Sequence, residues 1–164
     1  MEKLYLDRTE IPDNMAIIVR KAEIIETGTT VYSMSVREDN ELYRKFAEEY
    51  DIRFIFDDHI PVVEFYAVPR LDIFATDSRG GYFVTVGSCF DRELPVYYLD
   101  AAGDFFLVAE SGSAFVENAP NWRAVLKPWA GVEIFPTKDA AKEKYTLFGK
   151  SNLEAMHQDI MKNP

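Results

Sequence analysis

Two stretches in the middle of the chain have the residue pattern of β-hairpins. In each, a flank of aromatic and β-branched residues leads into a turn rich in Asp, Ser and Gly, and a second such flank follows. The first covers 71–86 with its turn at 77–81, and the second covers 95–109 with its turn at 100–104. These flanks suit a pleated, half-buried surface, and glycine supplies the positive φ of a tight turn. Residues 71–109 are therefore predicted to form consecutive antiparallel strands of one sheet.

Apolar positions at helical spacing predict two longer helices. The first, over 40–50, follows a cap at Asp39 or Asn40 and repeats apolar side chains every four residues. The second, over 151–162, begins with a capping-box pattern, in which a hydroxyl and a carboxylate satisfy reciprocal backbone donors. Shorter helical pieces are expected to begin at three further places: Ser111 or Ser113, Asn121, and Thr137.

Other segments are less uniform in pattern. Apolar and polar residues alternate at 32–36 and again at 52–56, and each alternation predicts a half-buried strand. Residues 131–135 favour a late edge strand. The segment 61–68 fits a strand or a helix opened by proline, and 16–25 fits a helix or a buried strand. With 164 residues and 48% hydrophobic composition, the chain is expected to form a single α+β domain over 1–164, with a small two-part body as the alternative.

The net charge of the chain limits the classes of molecule that it is expected to bind. Eighteen Lys and Arg against 28 Asp and Glu give a formal net charge of −10. Such a surface repels phosphate backbones and anionic membranes, so neither nucleic acid nor a membrane is expected as a partner. It attracts basic proteins and raises their association rates at low salt. The alternative is that the acidity serves solubility alone.

The expected compartment is the cytoplasm. No apolar run approaches the ~18 residues that cross a bilayer, and residues 1–7 lack the apolar core of a signal peptide. The single cysteine, Cys89, forms no internal disulfide and agrees with a reducing compartment. The oligomeric state stays open.

Catalytic and cofactor patterns are not found in the sequence. Gly80 and Gly81 lack the helix and lysine of a phosphate-binding loop. The adjacent residues 57–59 do not easily converge on one metal ion, and Cys89 has no histidine near it in sequence. No enzyme activity, no cofactor and no metal site are therefore expected. The rival hypothesis is a small hydrolase with an acid/base set such as Glu64, Asp72 and Asp77.

The order of pieces around the hairpins resembles the SUKH superfamily, which includes relatives of the fungal cell-wall assembly regulator. The resemblance spans 71–117 and rests on three segments: Ile73-Phe74-Ala75-Thr76-Asp77 with Gly80-Gly81-Tyr82, Pro95-Val96-Tyr97-Tyr98-Leu99-Asp100, and Phe106-Leu107-Val108-Ala109-Glu110-Ser111 with Phe115-Val116. The family's Asn-Gly-Gly-like turn near the N-terminus has no counterpart here. The segment before residue 70 is therefore divergent or differently built.

This resemblance implies a fold and a function. The fold is a twisted, mostly antiparallel sheet flanked by helices. Bacterial members of the superfamily are largely immunity proteins that bind and neutralise toxins exchanged between competing cells. The implied function is thus non-catalytic protein binding, with a basic toxin domain as the partner. An intracellular scaffold or regulatory module without a toxin is the alternative, because it also needs only a shaped surface.

Five acidic residues are candidates for binding such a partner, since turn residues are exposed on a rigid sheet. They lie in the two turns and the connection between the hairpins: Asp77, Asp91, Glu93, Asp100 and Asp104. In a meander the two turns share one end of the sheet. Asp77, Asp100 and Asp104 are therefore predicted to form one acidic patch, and Asp91 with Glu93 a second at the other end. Alternatively, the aspartates only close their turns.

Overall fold

The computed structural model confirms the α+β class. It describes residues 2–12, 15, 22–86 and 93–162, the last six without their side chains. The first elements in chain order are β1 (Glu2–Asp7), β2 (Ala22–Thr27), β3 (Thr29–Val31), a 3-10 helix (Val36–Glu38), α1 (Glu41–Tyr50), β4 (Arg53–Phe54), β5 (Tyr66–Val68), β6 (Leu71–Thr76) and β7 (Tyr82–Val86). They are followed by β8 (Val96–Leu99), β9 (Phe105–Ala109), α2 (Gly112–Asn118), a second 3-10 helix (Ala119–Ala124), β10 (Lys127–Pro128), β11 (Glu133–Phe135), α3 (Lys138–Lys142), β12 (Leu147–Phe148) and α4 (Lys150–Lys162).

The chain divides into two compact units. The first gathers residues 1–29, 64–70 and 132–164, and the second gathers 30–63 and 71–131. The assignment of residues 1–164 to a single SUKH-like domain stays a prediction.

The second unit contains the predicted meander. Its sheet has the strand order β10-β9-β8-β7-β6-β3, and β4 also pairs with β6. Each neighbouring pair from β6 to β9 is antiparallel, as predicted for residues 71–109. The register places Tyr82 opposite both Thr76 and Leu99, and Leu99 opposite Phe105. This register fixes which turns are neighbours.

The core of the second unit lies on one face of this sheet. Phe83 and Tyr98 come from adjacent strands, and Phe46, Phe115 and Trp122 come from the helical segments that cover them. The five side chains are at most 5% exposed, and the Phe83 and Trp122 rings meet edge to face at 4.8 Å. Alternation along β7 and β8 sends these aromatics to the covered face, which is why the predicted strands build a core.

The first unit has a different architecture. Its three-stranded sheet has the order β12-β1-β2, and both pairings are parallel. A separate two-stranded pair joins β5 and β11 in antiparallel register. Tyr66, Val68 and Ala141 form a small buried cluster, against which Tyr5 and Tyr145 pack. No pattern in the sequence analysis predicted β1 or β12.

The predicted helices are present, and the structure corrects the residues at which some of them begin. Asn40 rather than Asp39 caps α1, because its Oδ1 accepts the backbone N–H of Leu42 at 2.9 Å. Ser111 caps α2 and Thr137 caps α3. Asn121 lies within the second 3-10 helix rather than at its start. At α4 the capping-box prediction is wrong, because the helix begins at Lys150.

Two strand predictions are wrong in extent. The segment 32–36 forms no continuous strand, because Met34 makes an isolated bridge and the 3-10 helix begins at Val36. Ser35 accepts the backbone N–H of Arg37, a local bond that competes with a sheet ladder. In 52–56 only β4 and a bridge at Phe56 form.

The segments with two interpretations are settled only in part. Within 61–68, β5 is a strand, and within 131–135 β11 is the predicted late strand. Residues 22–25 belong to strand β2. The rest of the 16–25 segment lies outside the described residues.

Candidate partner-binding surface

The two hairpin turns lie side by side at one end of the second unit. Tyr82, which follows the first turn, pairs with Leu99, which precedes the second. A Cβ atom on Gly80 would lie 3.6 Å from the Cβ atom of Ala101, so the tips are in van der Waals range. The prediction that both turns share one end of the sheet is confirmed. We call residues 78–80 and 100–104 the hairpin-tip surface.

Both turns use the same hydrogen-bonding pattern. The Oδ1 atom of the first aspartate accepts the backbone N–H groups two and four residues later, at 3.1 and 2.7 Å from Asp77 and at 3.0 and 2.8 Å from Asp100. The fourth residue is a glycine at positive φ, 81° at Gly80 and 92° at Gly103. The pattern Asp-x-x-Gly-x thus closes each loop by itself. The aspartate side chain satisfies the backbone donors, and glycine adopts the positive φ of the turn without strain.

Asp77 is buried, which corrects its place in the predicted exposed patch. Its side chain is 0% exposed. Its Oδ2 atom accepts the Tyr98 hydroxyl at 2.6 Å and the Arg123 guanidinium at 3.1 Å. A turn position suggests exposure, but here two long side chains from elsewhere in the unit cover the carboxylate. Asp77 therefore supports the surface from beneath.

A second carboxylate ties the first turn to α1. Asp51 follows the helix in the left-handed conformation, with φ at 57°. It accepts the backbone N–H of Ser78 at 3.0 Å and the Ser78 hydroxyl at 2.7 Å, and Arg123 donates to it at 2.8 Å. The Arg123 guanidinium also lies 4.1 Å from the centre of the Trp122 ring, a cation–π geometry. One arginine thus bridges two carboxylates and an aromatic ring beneath the hairpin tips.

The Asp51–Arg123 ion pair keeps both of its charges over the physiological pH range. Burial favours a raised pKa at the Asp51 carboxyl, but the Ser78 hydrogen bonds and the Arg123 ion pair outweigh it and lower that pKa. Burial, followed by the hydrogen bond to Asp77, raises the pKa of Tyr98 to about 12. Burial alone would lower the pKa of Arg123, yet its partners raise it. The Asp51 carboxylate and the Arg123 guanidinium are therefore ionised, and the Tyr98 phenol is neutral.

The remaining candidate acids fall into three groups. Asp104 is exposed and Asp100 is half-buried, so both contribute charge to the hairpin-tip surface. Glu93 is exposed on the connection between the hairpins, away from the tips. Asp91 lies outside the described residues. The structure thus joins two of the three residues of the predicted first patch at the surface.

Sequence reasoning missed Asp51, Tyr98 and Arg123 as supports of the turns. Asp51 lies 27 residues from Ser78, and Arg123 lies 46 residues from Asp77. No local pattern links positions so far apart. The available signal in the sequence was an aspartate directly after a predicted helix, and this signal did not identify Ser78 or Arg123 as its partners.

The first unit holds a separate polar cluster. The buried Asp7 accepts the Thr9 backbone N–H and the Tyr66 hydroxyl, each at 2.9 Å, and its Oδ2 lies 2.5 Å from the Lys138 ammonium. Glu10 pairs with the same ammonium. Burial opposes ionisation of Asp7, but Lys138, Thr9 and Tyr66 outweigh it and lower its pKa. The cluster joins β1 to β5 and α3.

The acid/base set named for the rival hydrolase hypothesis does not converge. Asp72 lies at the start of β6, opposite Thr85, whereas Asp77 follows the end of that strand. An extended strand of this length separates its ends by roughly 16 Å. Within the part of the chain that the structure describes, no group of three or more His, Cys, Asp or Glu residues has a geometry that could hold a metal ion.

None of the described helices has both the length and the apolar character needed to cross a membrane. Comparison with protein-family models, curated proteins and solved structures finds no match to this chain.

Proposed function

We propose that this chain is a non-catalytic binding protein that neutralises a basic toxin domain by direct contact, as an immunity protein of the cytoplasm. The observation that carries the proposal is the uneven distribution of charge. By sequence, the second unit holds 16 acidic and 8 basic residues, a formal charge of −8, and the first holds 12 and 10, a formal charge of −2. The acidity therefore belongs to the unit that contains the two hairpin turns.

The hairpin-tip surface suits recognition of a basic protein. Asp100 and Asp104 supply two negative charges against the single positive charge of the exposed Arg79, and the Asp77 network holds the neighbouring turn in place. Small residues separate these charges, namely Gly80, Ala101 and Gly103, so the backbone of a partner can approach closely. Because each loop closes through its own hydrogen bonds, binding costs little conformational entropy.

Neutralisation follows from occlusion. The long-range field of a unit with charge −8 accelerates association with a cationic nuclease or similar toxin. Once bound, the immunity protein occupies the basic surface that the toxin needs for its own anionic substrate. This mechanism requires no catalytic group on the immunity protein.

The proposal predicts that a gene beside that of this chain encodes a toxin domain, and the test co-expresses that domain with wild type or with variants. In Asp100→Asn/Asp104→Asn, each Oδ1 acceptor remains and only two charges are lost. The matched control, Glu110→Gln/Glu117→Gln, removes two exposed charges that lie outside the five candidate residues. We expect wild type and the control to protect cells, and the tip variant to bind the toxin at least about tenfold more weakly.

Two results separate the proposal from its alternatives. If the purified toxin domain binds the chain but its toxicity is unchanged, the chain is a binding module of another kind. If the toxin domain does not bind at all, the immunity function is wrong.

A further inference from the structure

A second exposed surface of the second unit combines apolar and acidic side chains. All residues of 35–42 are exposed, and so are 57–60 and 62. These two runs contain four of the seven large apolar side chains that are exposed among the described residues: Val36 (49%), Leu42 (56%), Ile60 (53%) and Val62 (81%). We call the exposed residues of 35–42 and 57–62 the apolar–acidic face.

Backbone contacts place the two runs next to each other. Met34 forms a parallel bridge with Phe56 and accepts the backbone N–H of Asp57 at 2.9 Å. The hydroxyl of Ser33 donates to the Asp57 carboxylate. Because this bridge is parallel, the two chains leave it in the same direction. The 3-10 helix with Val36 follows Met34, and the loop with Ile60 and Val62 follows Phe56.

The charge on this face is strongly one-sided. One arginine, Arg37, accompanies five carboxylates: Glu38, Asp39, Glu41, Asp57 and Asp58. The exposed side chains of a monomeric protein are normally scattered, and apolar ones gathered within a polar rim mark an interaction site. The acids repel nucleic acid and anionic lipid, and they attract cations.

We propose that the apolar–acidic face binds a cationic protein segment that presents apolar side chains. Apolar contacts at Ile60 and Val62 supply the buried centre of such an interface, and the carboxylates form its polar rim. The identification of the partner as basic rests on the proposed function, whereas the location is independent of the hairpin-tip surface. A toxin that engages both surfaces is held at two places on one unit.

The test uses a fluorescein-labelled peptide of ten residues that alternates lysine and leucine, titrated into the full chain and followed by anisotropy. Two control peptides replace leucine by serine or lysine by glutamate. We expect the lysine–leucine peptide to bind at least about tenfold more tightly than either control. Amide chemical-shift changes in the wild type are expected at 35–42 and 57–62.

Three variants locate the site. Ile60→Ser/Val62→Ser is expected to weaken binding at least about tenfold, and Asp57→Asn/Asp58→Asn to weaken it and reduce its salt dependence. Val116→Ser, which changes an equally exposed valine on α2 (55%), is expected to bind as wild type does. Amide spectra establish that each variant is folded.

Distinct outcomes would overturn the inference. Equal binding by wild type and Ile60→Ser/Val62→Ser would remove the face as the site. Loss of binding only in Asp100→Asn/Asp104→Asn would assign the peptide to the hairpin-tip surface, which leaves the proposed function intact. Binding to neutral phosphatidylcholine vesicles but not to the peptide would make the face a lipid contact.

Discussion

At the scale of single residues, Asp77 and Asp100 show one local motif in two environments. Each accepts the backbone N–H groups of the residues two and four positions later in its own turn. The second oxygen of Asp77 is buried against Tyr98 and Arg123, whereas Asp100 is half-exposed. The motif sets the turn, and the surroundings decide whether the carboxylate is structural or available to a partner.

Replacing each aspartate by alanine should separate these two contributions. Asp77→Ala leaves the buried Tyr98 hydroxyl without its acceptor and removes one of the two carboxylates that pair with Arg123, so it is expected to lower the free energy of unfolding by about 2–3 kcal/mol. Asp100→Ala loses turn bonds at a partly solvated site and is expected to cost about 1 kcal/mol. Urea denaturation measures both. Equal losses would contradict a structural role for the Asp77 network.

The lowered pKa of Asp51 predicts a pH dependence. A carboxyl whose pKa is lower in the folded than in the unfolded chain stabilises the fold above its unfolded pKa of about 4. That stabilisation is lost as the pH falls through the folded value. In Asp51→Asn the ion pair with Arg123 is absent at every pH.

The free energy of unfolding of wild type should therefore exceed that of Asp51→Asn at neutral pH. The difference should shrink between about pH 5 and pH 2. Urea denaturation across this range is the measurement. A difference that stays constant on acidification would show that the charge of Asp51 does not contribute.

At the scale of elements, the residue patterns predicted those segments whose structure depends on local interactions. The meander over 71–109 and α1 follow from alternation, turn chemistry and helical spacing. The segment 32–36 alternates in the same way, yet it ends in a 3-10 helix because Ser35 caps it. The burial of Asp77 depends on Tyr98 and Arg123, 21 and 46 residues away, and no local pattern contains that information.

The cap of α1 gives a prediction at this scale. Asn40 accepts the backbone N–H groups of Leu42 and Tyr43 at 2.9 and 3.4 Å, so Asn40→Ala is expected to cost about 1 kcal/mol of stability. The Asp39 carboxylate lies 3.9 Å from Arg44 in an exposed ion pair, so Asp39→Ala should cost less than about 0.5 kcal/mol. Thermal unfolding of the two variants compares them. A larger loss of stability in Asp39→Ala than in Asn40→Ala would contradict the assignment of Asn40 as the cap.

At the scale of the whole molecule, the central feature is the unequal charge of the two units. The sequence gives a net charge of −10, but not its distribution, because the first unit is assembled from three separate segments of the chain. Only the fold shows that the acidic excess lies with the hairpins. Composition therefore predicts a basic partner, and we propose that this partner binds the second unit.

The most direct test is a calorimetric titration of the full chain with the toxin domain that we expect a neighbouring gene to encode, from about 50 to about 500 mM salt. Binding is predicted to weaken as salt rises. The slope against salt should be smaller for Asp100→Asn/Asp104→Asn than for Glu110→Gln/Glu117→Gln, because the tip variant has lost charges at the contact. An affinity that is independent of salt and equal in all three proteins would contradict recognition of a basic partner by the acidic second unit.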